Sequence, residues 1–153
     1  MNKINKINTI LRHNWTNDEV KCLIDQPLLE LVYQAQTIHR SNFPKNEIQK
    51  SKLLSIKTGS CPEDCSYCSQ SAHHNVDLTK EPLISLDEVI KAAEVAVEEG
   101  ATRFCMGAAW RGPTDNNIDQ VCDMVKAVNN LGLESCVTLG MLKDGHAEKL
   151  ADY

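Results

Sequence analysis

Residues Leu53-Leu-Ser-Ile-Lys57-Thr-Gly-Ser-Cys61-Pro-Glu-Asp-Cys65-Ser-Tyr-Cys68 carry two signals in sixteen positions. The alternation over 52–58 reads as a β-strand. It runs straight into three cysteines spaced C-x3-C-x2-C, with Gly59 just before them. A thiolate is the metal-ligating form of cysteine, and three of them crowded together repel unless a cation sits among them. Zinc would close its tetrahedron with a fourth protein ligand, for which His73 and His74 are in reach. Disulfides fit poorly, because the chain has seven cysteines and the spacing does not favour internal bridges. An iron-sulfur cube held by three thiolates keeps one iron open to an outside molecule.

Outward from this stretch, strands and helices alternate. A capping box at Ser85-Leu-Asp-Glu88 opens a helix carrying Val89, Ile90, Ala93 and Val97, with Gly100 as its stop. A strand over 102–106 follows, then a helix over 118–131 closed by Gly132, a strand over 133–139, a loop over 140–144 and a helix from His146 to Tyr153. This order predicts an α/β fold of parallel strand-helix units. Leu54, Ile56, Thr102, Phe104, Met106, Leu133, Ser135, Val137 and Leu139 are expected on the face under the helices. Ser55, Lys57, Arg103, Cys105, Glu134, Cys136 and Thr138 fall on the other. Parallel sheets covered on both sides normally read as continuous apolar runs, so this second face implies a cavity rather than packing. Cys105 and Cys136 read either as core residues or as ligands converging on a second metal centre.

A closed barrel takes eight strands and about 250 residues. Three units would leave the last strand as an exposed edge, so a truncated chain is expected. Before the sheet, residues 15–50 read as a helical cap. Thr16-Asn-Asp-Glu19 is a capping box for a helix to Asp25, and Pro27 starts a second helix with a Leu28, Leu31, Val32, Ala35, Ile38 stripe ending before Phe43-Pro44. Cys22 is expected as a buried small hydrophobe. Residues 1–14, with Ile4, Ile7, Ile10 and Leu11 at helical spacing, are a short polar leader expected to be disordered.

The chain is 42% hydrophobic and 24% charged, with a net charge of -5. Without a Lys/Arg cluster this argues against nucleic acid or an anionic membrane and for a small-molecule partner. No apolar run approaches the ~20 residues of a membrane span and no signal-like block opens the chain. Cytoplasmic localisation is the expectation, in a reducing compartment where cysteines act as ligands.

Three blocks carry a resemblance: 53–71 around the cysteines with Tyr67 before the last, 102–110 (Thr-Arg-Phe-Cys-Met-Gly-Ala-Ala-Trp) and 136–142 (Cys-Val-Thr-Leu-Gly-Met-Leu). The cysteine spacing resembles the radical S-adenosylmethionine (SAM) enzymes, and the three blocks in order resemble the biotin synthase family from about Trp15 onward. The resemblance implies a TIM-type (β/α) barrel, of which 51–153 would be the N-terminal part. It implies Cys61, Cys65 and Cys68 as ligands of a 4Fe-4S cluster whose open iron takes SAM, with Tyr67 and Ala108 contacting SAM through their backbones. Cys105 and Cys136 match two of the three cysteines that, with an arginine, hold a 2Fe-2S cluster; the other ligands would lie beyond Tyr153. The implied reaction converts dethiobiotin to biotin through a 5'-deoxyadenosyl radical. A flavodoxin- or ferredoxin-type electron donor, the iron-sulfur assembly machinery and a homodimer of the full-length protein are the implied partners. Arg103 would either support the second cluster or pair with Glu134. Trp110, Arg111 and Asp115, placed in the loop after the second strand, are candidates for closing the site. His73 and His74 are expected to be solvated. The alternatives are another radical SAM enzyme and a metal-binding fragment without activity, and the isolated chain is expected to be inactive.

Overall fold

A computed structural model describes residues 9–153, so Ile4 and Ile7 lie outside the described residues. The chain divides into two compact units between Ile48 and Gln49.

The first unit holds α1 (Asn17–Ile24) and α2 (Leu28–Asn42). The Thr16 hydroxyl accepts from the Glu19 amide at 3.3 Å, and the Glu19 carboxylate accepts from the Thr16 amide at 2.8 Å, closing the expected box. Arg12 adds an ion pair to Glu19 at 2.9 Å and stacks over Trp15. The Thr16 amide first, and then Arg12, hold the Glu19 carboxyl down at about 2. One expectation fails here, the burial of Cys22. Neither helix contains a buried residue, and Leu28 of the apolar stripe is 73% exposed. Cys22 is exposed rather than buried. The reason is size: helices of 8 and 15 residues enclose no interior of their own.

The second unit is a parallel sheet in the order β1-β2-β3, formed by β1 (Ser51–Lys57), β2 (Arg103–Ala108) and β3 (Glu134–Thr138). Between and after the strands come α3 (Leu86–Glu98), α4 (Asp115–Asn130) and α5 (His146–Ala151). The box at Ser85 and Glu88 starts α3 as expected. A second box, Thr114 with Asn117, starts α4 three residues before the expected Ile118, so Asp115 is the first residue of that helix and not part of a loop. Asparagine in place of glutamate at the third position hid this signal.

Ile56, Phe104 and Met106 under the sheet pack with Val89, Ala93 and Ala96 of α3, with Ile118, Val121, Val125 and Val128 of α4, and with Leu133 and Leu139. This is the apolar face the alternation marks out. Val97 is the correction: at 42% exposure it lies outside the core, because at 100° per residue Ala96 and not Val97 continues the Val89-Ala93 stripe. Leu54 and Val137 are half-buried at the edge of this cluster. Among the described residues no helix is long and apolar enough to cross a membrane.

Candidate metal centre

The face of the sheet opposite the helices is built in rows by the strand register. Ser51, Arg103 and Glu134 are aligned across the three strands, then Leu53, Cys105 and Cys136, then Ser55, Gly107 and Thr138. Cys105 and Cys136 are therefore direct neighbours on adjacent strands, as expected. Burial and then the Cys136 thiol push the Cys105 thiol above its ordinary range, which favours the protonated form when no metal is bound. One row below, Arg103 pairs with Glu134 at 3.5 Å and donates to Gln49 at 3.0 Å. Its Nε is buried without an acceptor. An unsatisfied donor beside two thiols suits a site that receives an electron-rich group such as cluster sulfide.

Beyond β1 the chain enters the cysteine loop through Gly59 and Ser60, both with positive φ, of 69° and 53°. A left-handed serine is uncommon, and the turn it makes aims Cys61 back toward the sheet end. Cys61 and Cys68 then line a cavity of about 390 Å³ together with Leu53, Ser55, Lys57, Gln70, Gly107, Ala108, Trp110, Thr138 and Gly140. The cavity thus lies over the C-terminal ends of all three strands. Cys65 is not part of its wall, and Tyr67 is 93% exposed. All seven cysteines are free thiols.

Main-chain and side-chain bonds tie the three post-strand loops together. The Lys57 ammonium donates to the Ala109 carbonyl at 2.7 Å and also to the Gly59 carbonyl. The Trp110 indole donates to the Leu139 carbonyl at 2.9 Å, and the Met141 amide to the Arg111 carbonyl at 2.7 Å. Arg111 reaches over to Glu63, between the first two cysteines, in an ion pair of 2.7 Å. Asp115 turns the other way, to Lys143 at 2.9 Å and His146 at 3.4 Å. Gly140 is required at its place: its φ is 69°, and a side chain there would meet the Arg111 carbonyl.

Among the described residues no three His, Cys, Asp or Glu side chains converge on one point as ligands of a single ion would. Both loop histidines donate Nε2 to carbonyls, His73 to Pro62 at 3.0 Å and His74 to Cys65 at 2.9 Å, and neither joins the cysteines in a common ligand set of the kind a three-cysteine, one-histidine zinc site needs. Instead of being merely solvated, both imidazoles are tied to the loop backbone. What remains is a set of three sulfurs, Cys61, Cys65 and Cys68, on one loop. A cube binds each thiolate to a different iron, so its ligands need not meet at a point, and the donor chemistry fits an iron-sulfur group. Residues the sequence did not single out are Leu53, which shares the cysteine row, and Gln70, whose Oε1 accepts from the Gly59 amide at 2.6 Å. Leu53 stood in the same alternation as Ser55; Gln70 gave no signal.

No family model matches the chain. Proteins named biotin synthase from Dechloromonas aromatica, Colwellia psychrerythraea and Azoarcus are 59%, 56% and 57% identical to it over 138, 144 and 141 residues. These matches cover 90%, 94% and 92% of this chain and 42%, 42% and 43% of the relatives. The chain is thus homologous over most of its own length to proteins of that name, and spans about two-fifths of theirs.

Proposed function

We propose that this chain supplies the cluster-binding and SAM-binding part of a biotin synthase, a radical SAM enzyme that inserts sulfur into dethiobiotin in the last step of biotin formation. The observation that carries the reading is the three-thiol loop after β1, two of whose cysteines line a cavity over the strand ends, in a chain 54–59% identical to relatives of that name. Cavities at the C-terminal ends of parallel strands are where (β/α) barrels do their chemistry, and we read β1 to β3 as the first strands of such a barrel.

Cys61, Cys65 and Cys68 would hold a 4Fe-4S cluster. When bound, that cluster with SAM on its open iron supplies one-electron cleavage of SAM and a radical able to abstract hydrogen from unactivated carbon. Cys105 and Cys136 would give two thiolates to a 2Fe-2S cluster, with Arg103 presenting its free Nε toward it. This pair separates the reading from a radical SAM enzyme without a second cluster. The backbones of Tyr67 and Ala108 would contact SAM. Trp110, held by the Leu139 carbonyl, walls the cavity and excludes water beside the reacting centre. Lys57 holds the strand end, the loop entry and Ala109 in one geometry. Dethiobiotin as substrate, a flavodoxin- or ferredoxin-type donor, the iron-sulfur assembly machinery, a homodimer and a cytoplasmic location belong to the proposed whole protein.

Anaerobic reconstitution followed by iron, zinc and sulfide analysis, with EPR of the reduced protein, tests the reading. A reduced 4Fe-4S signal that SAM perturbs and that Cys65→Ala removes is expected. Zinc without sulfide would overturn it.

A further inference from the structure

On the reading that the Cys61–Cys68 loop carries a cluster, we infer that His73 and His74 are positioning residues that clasp this loop in its ligating conformation through its backbone. A carbonyl oxygen only accepts, so each imidazole must donate its Nε2 proton, to Pro62 and to Cys65. Both acceptors lie within the first cysteine interval, Cys61 to Cys65.

The histidines complete a pattern. Residues 70–74 run back along the cysteine loop, and the Ala72 amide donates to the Cys61 carbonyl at 2.8 Å, the Ser71 hydroxyl to Glu63 at 2.7 Å, His73 to Pro62 at 3.0 Å and His74 to Cys65 at 2.9 Å. Of the five carbonyls from Cys61 to Cys65, only that of Asp64 is left out. In the other direction the Cys61 amide donates to Gln70 at 3.0 Å. Ser71, 5% exposed, is the centre of the clasp, because its hydroxyl also accepts from the His73 amide at 3.1 Å.

Besides the clasp, the loop is held by the Arg111 ion pair to Glu63 and by one turn in which the Cys68 amide donates to the Cys65 carbonyl at 3.0 Å. It contains neither helix nor strand, and none of residues 61–68 is buried. With the carbonyls engaged on one side, the amides of Glu63, Asp64, Cys65, Ser66 and Tyr67 donate to no protein group among the described residues. Backbone amides are the usual donors to cluster sulfur, and such bonds tune reduction potential. The clasp therefore acts on both ligand placement and the electrostatics of the group those ligands hold.

The test compares this chain with His73→Phe/His74→Phe, which keeps ring volume but no donor, and with His73→Gln/His74→Gln, which keeps an N–H near the Nε2 position. Hydrogen exchange of the metal-free proteins comes first. Severalfold faster exchange at the bonded amides of Cys61, Cys68 and Ala72 in the Phe pair, unchanged exchange in α3 and α4, and recovery in the Gln pair are expected. Should the double variant lose protection in α3 and α4, His74→Phe alone repeats the measurement. Equal exchange in the Phe variant and the parent overturns the clasp whether or not a cluster forms. After reconstitution, lower iron and sulfide per chain, an altered EPR line shape and a shifted reduction potential are expected for the Phe pair and near-parental values for the Gln pair. Faster exchange with unchanged potential and line shape would reduce the histidines to a purely structural role and overturn the inference. A parent chain that takes up no iron or sulfide overturns the cluster reading and leaves the clasp to be judged by exchange.

Discussion

The two groups of cysteines are held by opposite means. Cys105 and Cys136 sit side by side because main-chain ladders fix the register of β2 and β3, with the Phe104–Met106 core beneath them. Cys61, Cys65 and Cys68 sit on a segment without regular structure, whose carbonyls are gathered by the side chains and amides of residues 70–74. A site built on strands borrows the rigidity of the whole core. A site built on a loop must bring its own hydrogen bonds, and it can be loosened without unfolding anything.

Phe104→Ala should break the contrast most strongly from the strand side. It empties the centre of the core, where Phe104 is 1% exposed, and should cost about 3–5 kcal/mol in chemical denaturation. The Cys105-Cys136 register should fail with it. Gly140→Ala attacks the junction between the two sites. Its positive φ and the collision with the Arg111 carbonyl should cost about 1–3 kcal/mol and shift Trp110 fluorescence. Retained stability and an unchanged spectrum would mean that the loops are not laced as described. Cys65→Ala should change stability by less than ~0.5 kcal/mol, since the residue is exposed. It should nevertheless abolish 4Fe-4S uptake, and a loss of stability comparable to Phe104→Ala would erase the distinction between loop and sheet.

Acid gives the smallest effect and a control outside both sites. Glu19 is held at about 2 against an ordinary 4.5, so its contribution is full above pH 4.5 and fades as pH falls toward 2. Glu88 at the start of α3 is lowered by its hydrogen bonds to Ser85 and follows the same sign. Helix content should decline over this window while the apolar core persists. A rise in helix content on acidification would contradict the boxes.

Much of the sheet side was legible because its signals are local and periodic. Alternation marked Ile56, Phe104 and Met106 as core and placed Cys105 and Cys136 on the other face. The capping boxes at Thr16 and Ser85 were readable from residue type alone. Thr114 escaped because asparagine closes that box. The burial of Cys22 was misread for another reason: residue type states what a helix position could bury, and not what surrounds it. The bonds of Gln70, His73 and His74 were out of reach, since a side chain that bonds a backbone group nine or eleven residues away leaves no periodic trace.

By itself the sequence determined the kinds of group this protein brings to its site and the elements that carry them, because thiol chemistry, capping and alternation are properties of residue type and near-neighbour spacing. Only the tertiary structure decided which groups meet. Cys61 and Cys68 face Trp110 and Gly140 across one cavity, Arg111 grips Glu63, and the histidines turn back on the loop, because chain folding and hydrogen-bond geometry, rather than distance along the chain, choose those neighbours.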